Sequence, residues 1–413
     1  MADRPAPWGS GTGGSIRGAL SQRGFAAYMV GNTLSSSGTW FQNIAQTLLV
    51  YRLTNSVFLV GVVNLAQFAS VLFLGPAAGV AADRYDRRRL LLVTQLVSAS
   101  MTGVMALLAS TGHATVPVVI GAALVVGLAQ TFSVPAMLSL VPQLVPAEHL
   151  NAAVALNIVT FNVARAIGPV LGAVVVSVFG ISAAFAVNSL SFLVLAAVLA
   201  TIRPVHSAAA LSTGVRPRLR DTARSLRASP PMARLFITAT CVSITIDPVT
   251  TLSPAFATEI FGRADTLVGW MVGAFGFGAV IAGLWVSGRG WASDRALGAR
   301  TALLVAAMLV FALVPNLALA LLALVVAGFG FIAVSASALA QVQGESDDGE
   351  LGRLMALWAM AFMGARPVAS VLDGALATAT DVRFATIVLS LPAVGAVVML
   401  RRSGSDAAAM EPV

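Results

Sequence analysis

The chain has 413 residues, of which 58% are apolar and only 10% charged, and its mean hydropathy is +0.88. A soluble chain carries about 25% charged residues, so composition excludes an ordinary soluble domain and points to a polytopic membrane protein. The net charge of +8 contains no lysine contribution, because the chain has none. That excludes a Walker-type phosphate loop, which needs Lys-Ser/Thr after its glycines, so any pumping must draw on an ion gradient or a separate ATPase.

Residues 1–22 are rich in Gly, Ser and Arg without a hydrophobic signal region and read as a cytoplasmic N-terminal tail. Apolar windows of the length a bilayer requires then follow at 24–48, 57–80, 89–110, 115–140, 151–178 and 180–202. A second set lies at 232–255, 266–288, 300–315, 317–341, 351–377 and 383–400, the ninth being short. The expected fold is an all-α polytopic membrane protein of about twelve transmembrane helices in two six-helix bundles, 23–202 and 232–400. A cytoplasmic linker, 203–231, joins them, and 401–413 form a cytoplasmic C-terminal tail. The linker carries Arg216, Arg218, Arg220, Arg224 and Arg227 and reads either as an amphipathic segment on an anionic leaflet or as a solvated charged linker.

The arginines test this span assignment. Twenty fall in segments assigned to one side, while only Arg52, Arg263 and Arg383 fall on the other. The positive-inside rule places that rich side, with both termini, in the cytoplasm of a cell membrane. Basic charge dispersed around helix ends in this way argues against nucleic acid as a partner. The halves also echo one another at an offset of 201 residues, which aligns Leu150 with Leu351, Leu156 with Leu357, and Ala164-Arg165 with Ala365-Arg366. Internal repeats are typical of secondary transporters, whose substrate site lies near the midplane between halves.

The loop after the second span reads Gly79-Val80-Ala81-Ala82-Asp83-Arg84-Tyr85-Asp86-Arg87-Arg88-Arg89. Here the chain resembles the major facilitator superfamily, whose signature at this place is G-x-x-x-D-R-x-G-R-R/K. Asp86 in place of the second Gly resembles the branch of siderophore and macrolide exporters. The resemblance implies the two-bundle major facilitator fold, no cofactor and a usually monomeric transporter of a small-molecule substrate. Physically, Gly79, Asp83, Arg84, Arg87 and Arg88 form either a conformational latch, with Asp83 bonding a helix end or Arg84, or a positive-inside anchor. Gly288 to Arg295 is a degenerate counterpart that keeps Asp294-Arg295.

The fifth span contains Gly168-Pro169-x-x-Gly172, which resembles the antiporter motif of drug:proton exporters. Its chemistry is close helix packing and a bend at proline. Arg165 and Arg366 lie within spans, where an Arg costs about 2.5–3.5 kcal/mol on insertion scales and faces the bundle interior. Each reads as a tie to a carbonyl or carboxylate, or as a gate or anionic-substrate contact. Asp247, before Pro248, and Asp373 are the intramembrane acids that could balance them and relay protons, Asp247 being the deeper. Neutral polar residues Asn32, Gln42, Gln46, Asn64, Gln67, Gln130, Asn157 and Asn162 either line a cavity or tie helices together. With aromatics such as Phe41, Phe68 and Trp270 they would suit amphiphilic substrates. The acidic run Glu345 to Glu350 reads as a negative patch or helix-start charge.

The single Cys241 allows no intrachain disulfide, His113, His149 and His206 lie in separate loops, and no Cys/His metal spacing occurs. The chain therefore reads as a transporter and not an enzyme. The leading expectation is export of small drug-like molecules coupled to proton entry. The alternatives are export of a siderophore or other endogenous metabolite, nutrient uptake, and a transport-inactive receptor or scaffold.

Overall fold

The structure is a computed structural model and describes residues 16–202, 229–262, 266–286, 293–344 and 351–409. Among these residues all regular structure is helical. The first six long helices are α1 (Arg23–Thr54), α2 (Val57–Arg84), α3 (Arg87–Thr111), α4 (Val116–Leu140), α5 (Leu150–Phe179) and α6 (Ile181–Thr201). The second six are α7 (Pro230–Thr245), α8 (Thr266–Val286), α9 (Asp294–Leu313), α10 (Leu317–Gly344), α11 (Leu351–Ala379) and α12 (Val382–Ala409). Nine helices in the described residues are long and apolar enough to cross a membrane. Most of the linker, the acidic run at 345–350 and Gly288 to Ala292 lie outside the described residues.

Local chemistry sets the helix ends. Ser56 begins α2 by accepting the Leu59 amide at 3.3 Å, Asp86 begins α3 by accepting that of Arg89 at 2.7 Å, and Ser293 begins α9 by accepting that of Ala296 at 3.3 Å. Each side chain satisfies an amide that lacks an intrahelical acceptor. Asp86, the departure from the signature, is thus an N-cap, and its ordinary negative φ does not call for the usual glycine.

Several spans differ from the expectation. The ninth is not short, because the Ser293 cap starts it at Asp294, six residues before the apolar window. The twelfth continues through Ala409, beyond the boundary set for a C-terminal tail, and residues 16–21 of the expected N-terminal tail form a helical turn. The seventh is not one continuous helix. Pro248 cannot donate to the helical ladder, and after Thr245 the chain continues as short turns at Pro248–Thr251 and Ser253–Ala255 and a π turn at Phe256–Ile260.

In the first half α1 packs on α5 and α6, α2 on α4, and α3 on α4 and α6. In the second, α8 packs on α10, α9 on α10 and α12, and α7 on α10, α11 and α12. Two seams join the halves, α2 against α11 and α5 against α8. These pairs exchange under the repeat that relates α2 to α8 and α5 to α11. The same repeat holds at atomic detail. Gly127 lets α4 press on the Gln67 carbonyl of α2, and Gly328, 201 residues later, lets α10 press on the Phe275 carbonyl of α8.

Among the described residues the α2–α11 seam is tight at one end and loose at the other. At the arginine-poor end, a Cβ on Gly61 would overlap the Ser370 carbonyl of α11, and one on Gly374 would stand 2.6 Å from the Phe58 Cα. Gly79 lies five helical turns from Gly61 on the same face of α2, yet a Cβ there would meet nothing within 4 Å. The buried apolar core divides accordingly. One cluster unites both halves, including Leu48, Val57 and Val60 with Phe256, Leu267 and Val268. At the arginine-rich end a separate cluster, including Phe25, Tyr28, Leu91, Leu140 and Leu199, belongs to the first half alone. The halves therefore meet at the arginine-poor end and splay at the other.

Candidate functional site

The break in α7 sets the centre of the site. Asp247 sits at the break, with its side chain turned to α11, and is 1% exposed. Its Oδ2 accepts hydrogen bonds from Ser370 at 2.6 Å and Thr251 at 2.8 Å, and its Oδ1 lies 3.6 Å from the Arg366 Nε. Arg366, Ser370 and Asp373 follow at i, i+4 and i+7, which places them on one face of α11. Asp373 is fully buried and faces the same side of α11 as Arg366 and Ser370, near Asp247. No donor reaches either Asp373 oxygen among the described residues. Two carboxyls and one guanidinium make a group that a single shared proton renders neutral.

Among the described residues the cluster touches the first half through one polar contact. Asn64 of α2 donates its side-chain amide to the Thr251 hydroxyl at 3.2 Å, and Thr251 in turn bonds Asp247. Asp247, Arg366 and Ser370 then form part of the wall of a cavity between the halves. Trp40, Asn43, Asn64 and Phe68 line it from the first half, and Phe275 and Phe331 from the second. Its free volume is about 80 Å³. The space is thus a slit walled by aromatics, amides and one ionic cluster, and a drug-sized guest would have to part its walls.

The other amides expected at a cavity occupy different places. Gln42 faces away from the seam and accepts from Asn188 of α6 at 2.7 Å and Thr102 of α3 at 3.3 Å. Asn32 donates to Asn157 at 3.3 Å, tying α1 to α5. Gln46 donates to Gln67 at 2.9 Å and Gln67 to Asn43 at 2.9 Å, so this pair stands behind the wall and orients Asn43. Gln130 is half-buried on α4 and outside the cavity lining. Of the seven expected amides whose side chains are described, only Asn64 reaches the wall. Among the aromatics Phe68 does, whereas Phe41 packs against Gly172 and Trp270 is 70% exposed.

Gly168 and Gly172 carry a packing role. A Cβ on Gly168 would stand 2.6 Å from the Trp40 ring, and one on Gly172 2.9 Å from that of Phe41, so both glycines admit aromatics of α1. The side chains of Asp83, Asn162, Arg165 and Pro169 lie outside those described. In the signature loop Arg88 donates to the Leu199 and Ala200 carbonyls that end α6, where a cation also complements the helix dipole. Arg87 donates to the Ala82 carbonyl at 3.3 Å, and Arg84 is exposed. In the second half Asp294 pairs with Arg234 at 3.3 Å and accepts from Ser403 at 2.8 Å, bracing α7, α9 and α12.

Sequence reasoning missed Ser370 and Thr251, for which the signal was their i+4 spacing from Arg366 and Asp247. It also missed a contact across the closed end of the seam. Tyr51, at the end of α1, donates to Glu259 at 3.1 Å and shares a hydrogen bond with Thr258 at 3.0 Å. Both partners lie in the π turn, a geometry frequent at functional sites.

Comparison with known proteins agrees with this architecture. The family described as "Transmembrane secretion effector" within the major facilitator superfamily matches residues 15–411. The staphyloferrin A transporter of Staphylococcus aureus is 24% identical over 60% of this chain and 62% of its own length. Macrolide efflux protein A of Streptococcus pyogenes is 22% identical over 58% and 61%. The chain thus matches about three-fifths of the length of these curated relatives. Among solved structures, a bacterial homologue of the lysosomal transporter Spinster in an inward-facing, occupied conformation superposes with a TM-score of 0.72 at 13% identity, covering 92% of this chain and 96% of that one. The nucleoside transporter NupG gives 0.69 at 15% identity, covering 92% and 98%. The chain belongs to the transmembrane secretion effector family of major facilitator transporters.

Proposed function

We propose that the protein exports small amphiphilic organic molecules by alternating access, exchanging them for protons at the Asp247–Arg366–Asp373 cluster. The arginine-rich end faces the cytoplasm of the cell membrane under the positive-inside rule, so the described state is open inward. The observation that carries the reading is the position of Asp247. A buried carboxyl lies on the cavity wall, at a helix break, between one cation and a second acid. Intramembrane groups so placed are the usual means of loading and releasing protons in transporters.

A proton entering the cluster offsets the arginine's one unpaired carboxylate, and a cationic or polarised substrate beside Asp247 competes for the same charge. The aromatic walls supply sequence-tolerant contact for the apolar part of the guest. Reclosure at the arginine-rich end would bring the open face of α2, including Gly79, onto the second half. Gly79, Asp83, Arg84, Arg87 and Arg88 would then act as the latch, while Gly168, Pro169 and Gly172 keep α5 close to α1. Resemblance to macrolide efflux proteins supports export, and that to a staphyloferrin A transporter leaves the guest either drug-like or an endogenous metabolite. The largely buried Arg366 on the cavity wall favours the metabolite reading for guests bearing a carboxylate.

The test uses everted membrane vesicles from cells overproducing the full chain, with an acid interior. Erythromycin, staphyloferrin A and ethidium are offered in turn. Accumulation of at least one, lost when the pH gradient is collapsed, is the expected outcome. Binding of these compounds without gradient-driven uptake would instead indicate a receptor.

A further inference from the structure

The α1 side of the cavity carries a chain of amides that the ionic cluster does not use. Gln46 donates its side-chain amide to Gln67 of α2 at 2.9 Å, and Gln67 donates to the Asn43 Oδ1 at 2.9 Å. Asn43 is half-buried on the cavity wall, one helical turn before Thr47 on the same wall. We propose that Asn43 determines which guests the cavity accepts, its side-chain NH2 donating to a neutral acceptor oxygen such as a carbonyl. This rests on the cavity being the substrate site. It narrows the guest to an oxygen-bearing amphiphile with a charged group at its other edge.

The first support is an unspent donor. Gln67 is buried and uses both ends of its amide, whereas Asn43 uses only its Oδ1. The Asn43 NH2 has no partner among the described residues and is not sealed from the cavity. A group so placed is complete only when water or a guest supplies an acceptor. The second support is orientation. Gly127 lets α4 press on the Gln67 carbonyl, which fixes the backbone from which the Gln67 side chain reaches Asn43. With Gln46 bonded behind it, the chain sets which end of the Asn43 amide meets the cavity.

The third support is the repeat. Asp247 stands 201 residues after Gln46, at the matching place in the second half. From corresponding points the halves thus present a neutral donor chain and an ionic cluster to one slit. A guest between them meets charge at Arg366 and Asp247, a hydrogen-bond donor at Asn43, and the rings of Trp40 and Phe68. A site built to donate a hydrogen bond rejects a guest that lacks the acceptor, because the donor is then left unpaired.

The test is equilibrium dialysis of the purified full-length protein against erythromycin and, separately, ethidium. Both are cations, so the charged edge is held constant, but only erythromycin carries acceptor oxygens. Asn43→Leu should weaken erythromycin binding about tenfold and leave ethidium binding unchanged. Gln67→Met keeps Asn43 but frees its amide to turn, and should weaken erythromycin binding about threefold, with ethidium again unchanged. Equal losses for both compounds would make Asn43 a packing residue and overturn the proposal. Undiminished erythromycin binding in both variants, or absence of erythromycin binding by the wild type, would overturn it too. The readout needs no pH gradient. Oxygen-selective loss without gradient-driven uptake would therefore sink proton exchange and spare Asn43, whereas gradient-driven uptake with unselective loss would do the reverse.

Discussion

The two halves share a repeat but differ in how they treat buried polarity. Among the described residues of the first half the buried polar groups of the spans are neutral, and many of them pair with one another. Gln42 is bound to Asn188 and Thr102, Gln46 to Gln67, Gln67 to Asn43, and Ser70 to Thr131 at 2.9 Å. In the second half the polar centre is ionic, made of Asp247, Arg366 and Asp373, with one acid lacking a donor. Neutral amide pairs tie helices at modest strength and do not change charge within the working pH range. An acid pair beside one cation offers a site where a proton can bind. In the proposed cycle the first half serves as a fixed frame, and the second carries the group proposed to follow a proton.

The sharpest way to break this comparison is to remove the titratable group and keep its shape. Asp247→Asn should abolish accumulation driven by a pH gradient in everted vesicles while leaving membrane insertion intact. Retained gradient-driven uptake would exclude Asp247 as the coupling group. The next largest effect concerns stability. Arg366→Gln strands a buried carboxylate, for which about 3–5 kcal/mol is expected, read as a large drop in melting temperature. The double variant Arg366→Gln with Asp247→Asn should recover most of that loss, because it strands no charge. A double variant as unstable as the single one would show that Arg366 acts through packing.

The mirror experiment in the first half is Gln42→Leu. It removes two neutral bonds within the frame and should cost about 1 kcal/mol of stability, with uptake and its pH dependence unchanged. A changed pH profile in that variant would blur the distinction between frame and driver. The smallest effect is expected at the closed end of the seam. Tyr51→Phe deletes the hydroxyl shared with Thr258 and Glu259, worth about 0.5–1.5 kcal/mol. It should raise the share of molecules open at the arginine-poor end, measurable as labelling of a cysteine placed at Ser370. Unaltered labelling would make the Tyr51 contact incidental.

How much of this was legible in the sequence follows from what each signal measures. Apolar windows and the arginine asymmetry report transfer to lipid, and the windows fall on the twelve long helices, nine of which meet that demand by length and composition among the described residues. They missed the start of α9 at Asp294, where a Ser cap and charges lengthen a helix beyond its apolar stretch. They also missed the break after Thr245, which hydropathy does not register although Pro248 signals it. The ionic residues stood out because a charge in an apolar window is costly. Asn43, Gln42 and Gln46 did not separate, since they lie within five residues on α1 and a turn of about 100° per residue decides which faces the cavity. Ser370 and Thr251 gave no signal of their own, because hydroxyls in such helices commonly bond a carbonyl of the preceding turn.

The most direct test is proton release on substrate binding. Purified wild-type protein in weakly buffered solution with a pH indicator should release a proton when erythromycin, or whichever of the three compounds the vesicles accumulate, is added. The Asp247→Asn variant should release none while still binding. Equal release from both proteins would contradict the account, because the proton would then come from somewhere other than the cluster at the α7 break.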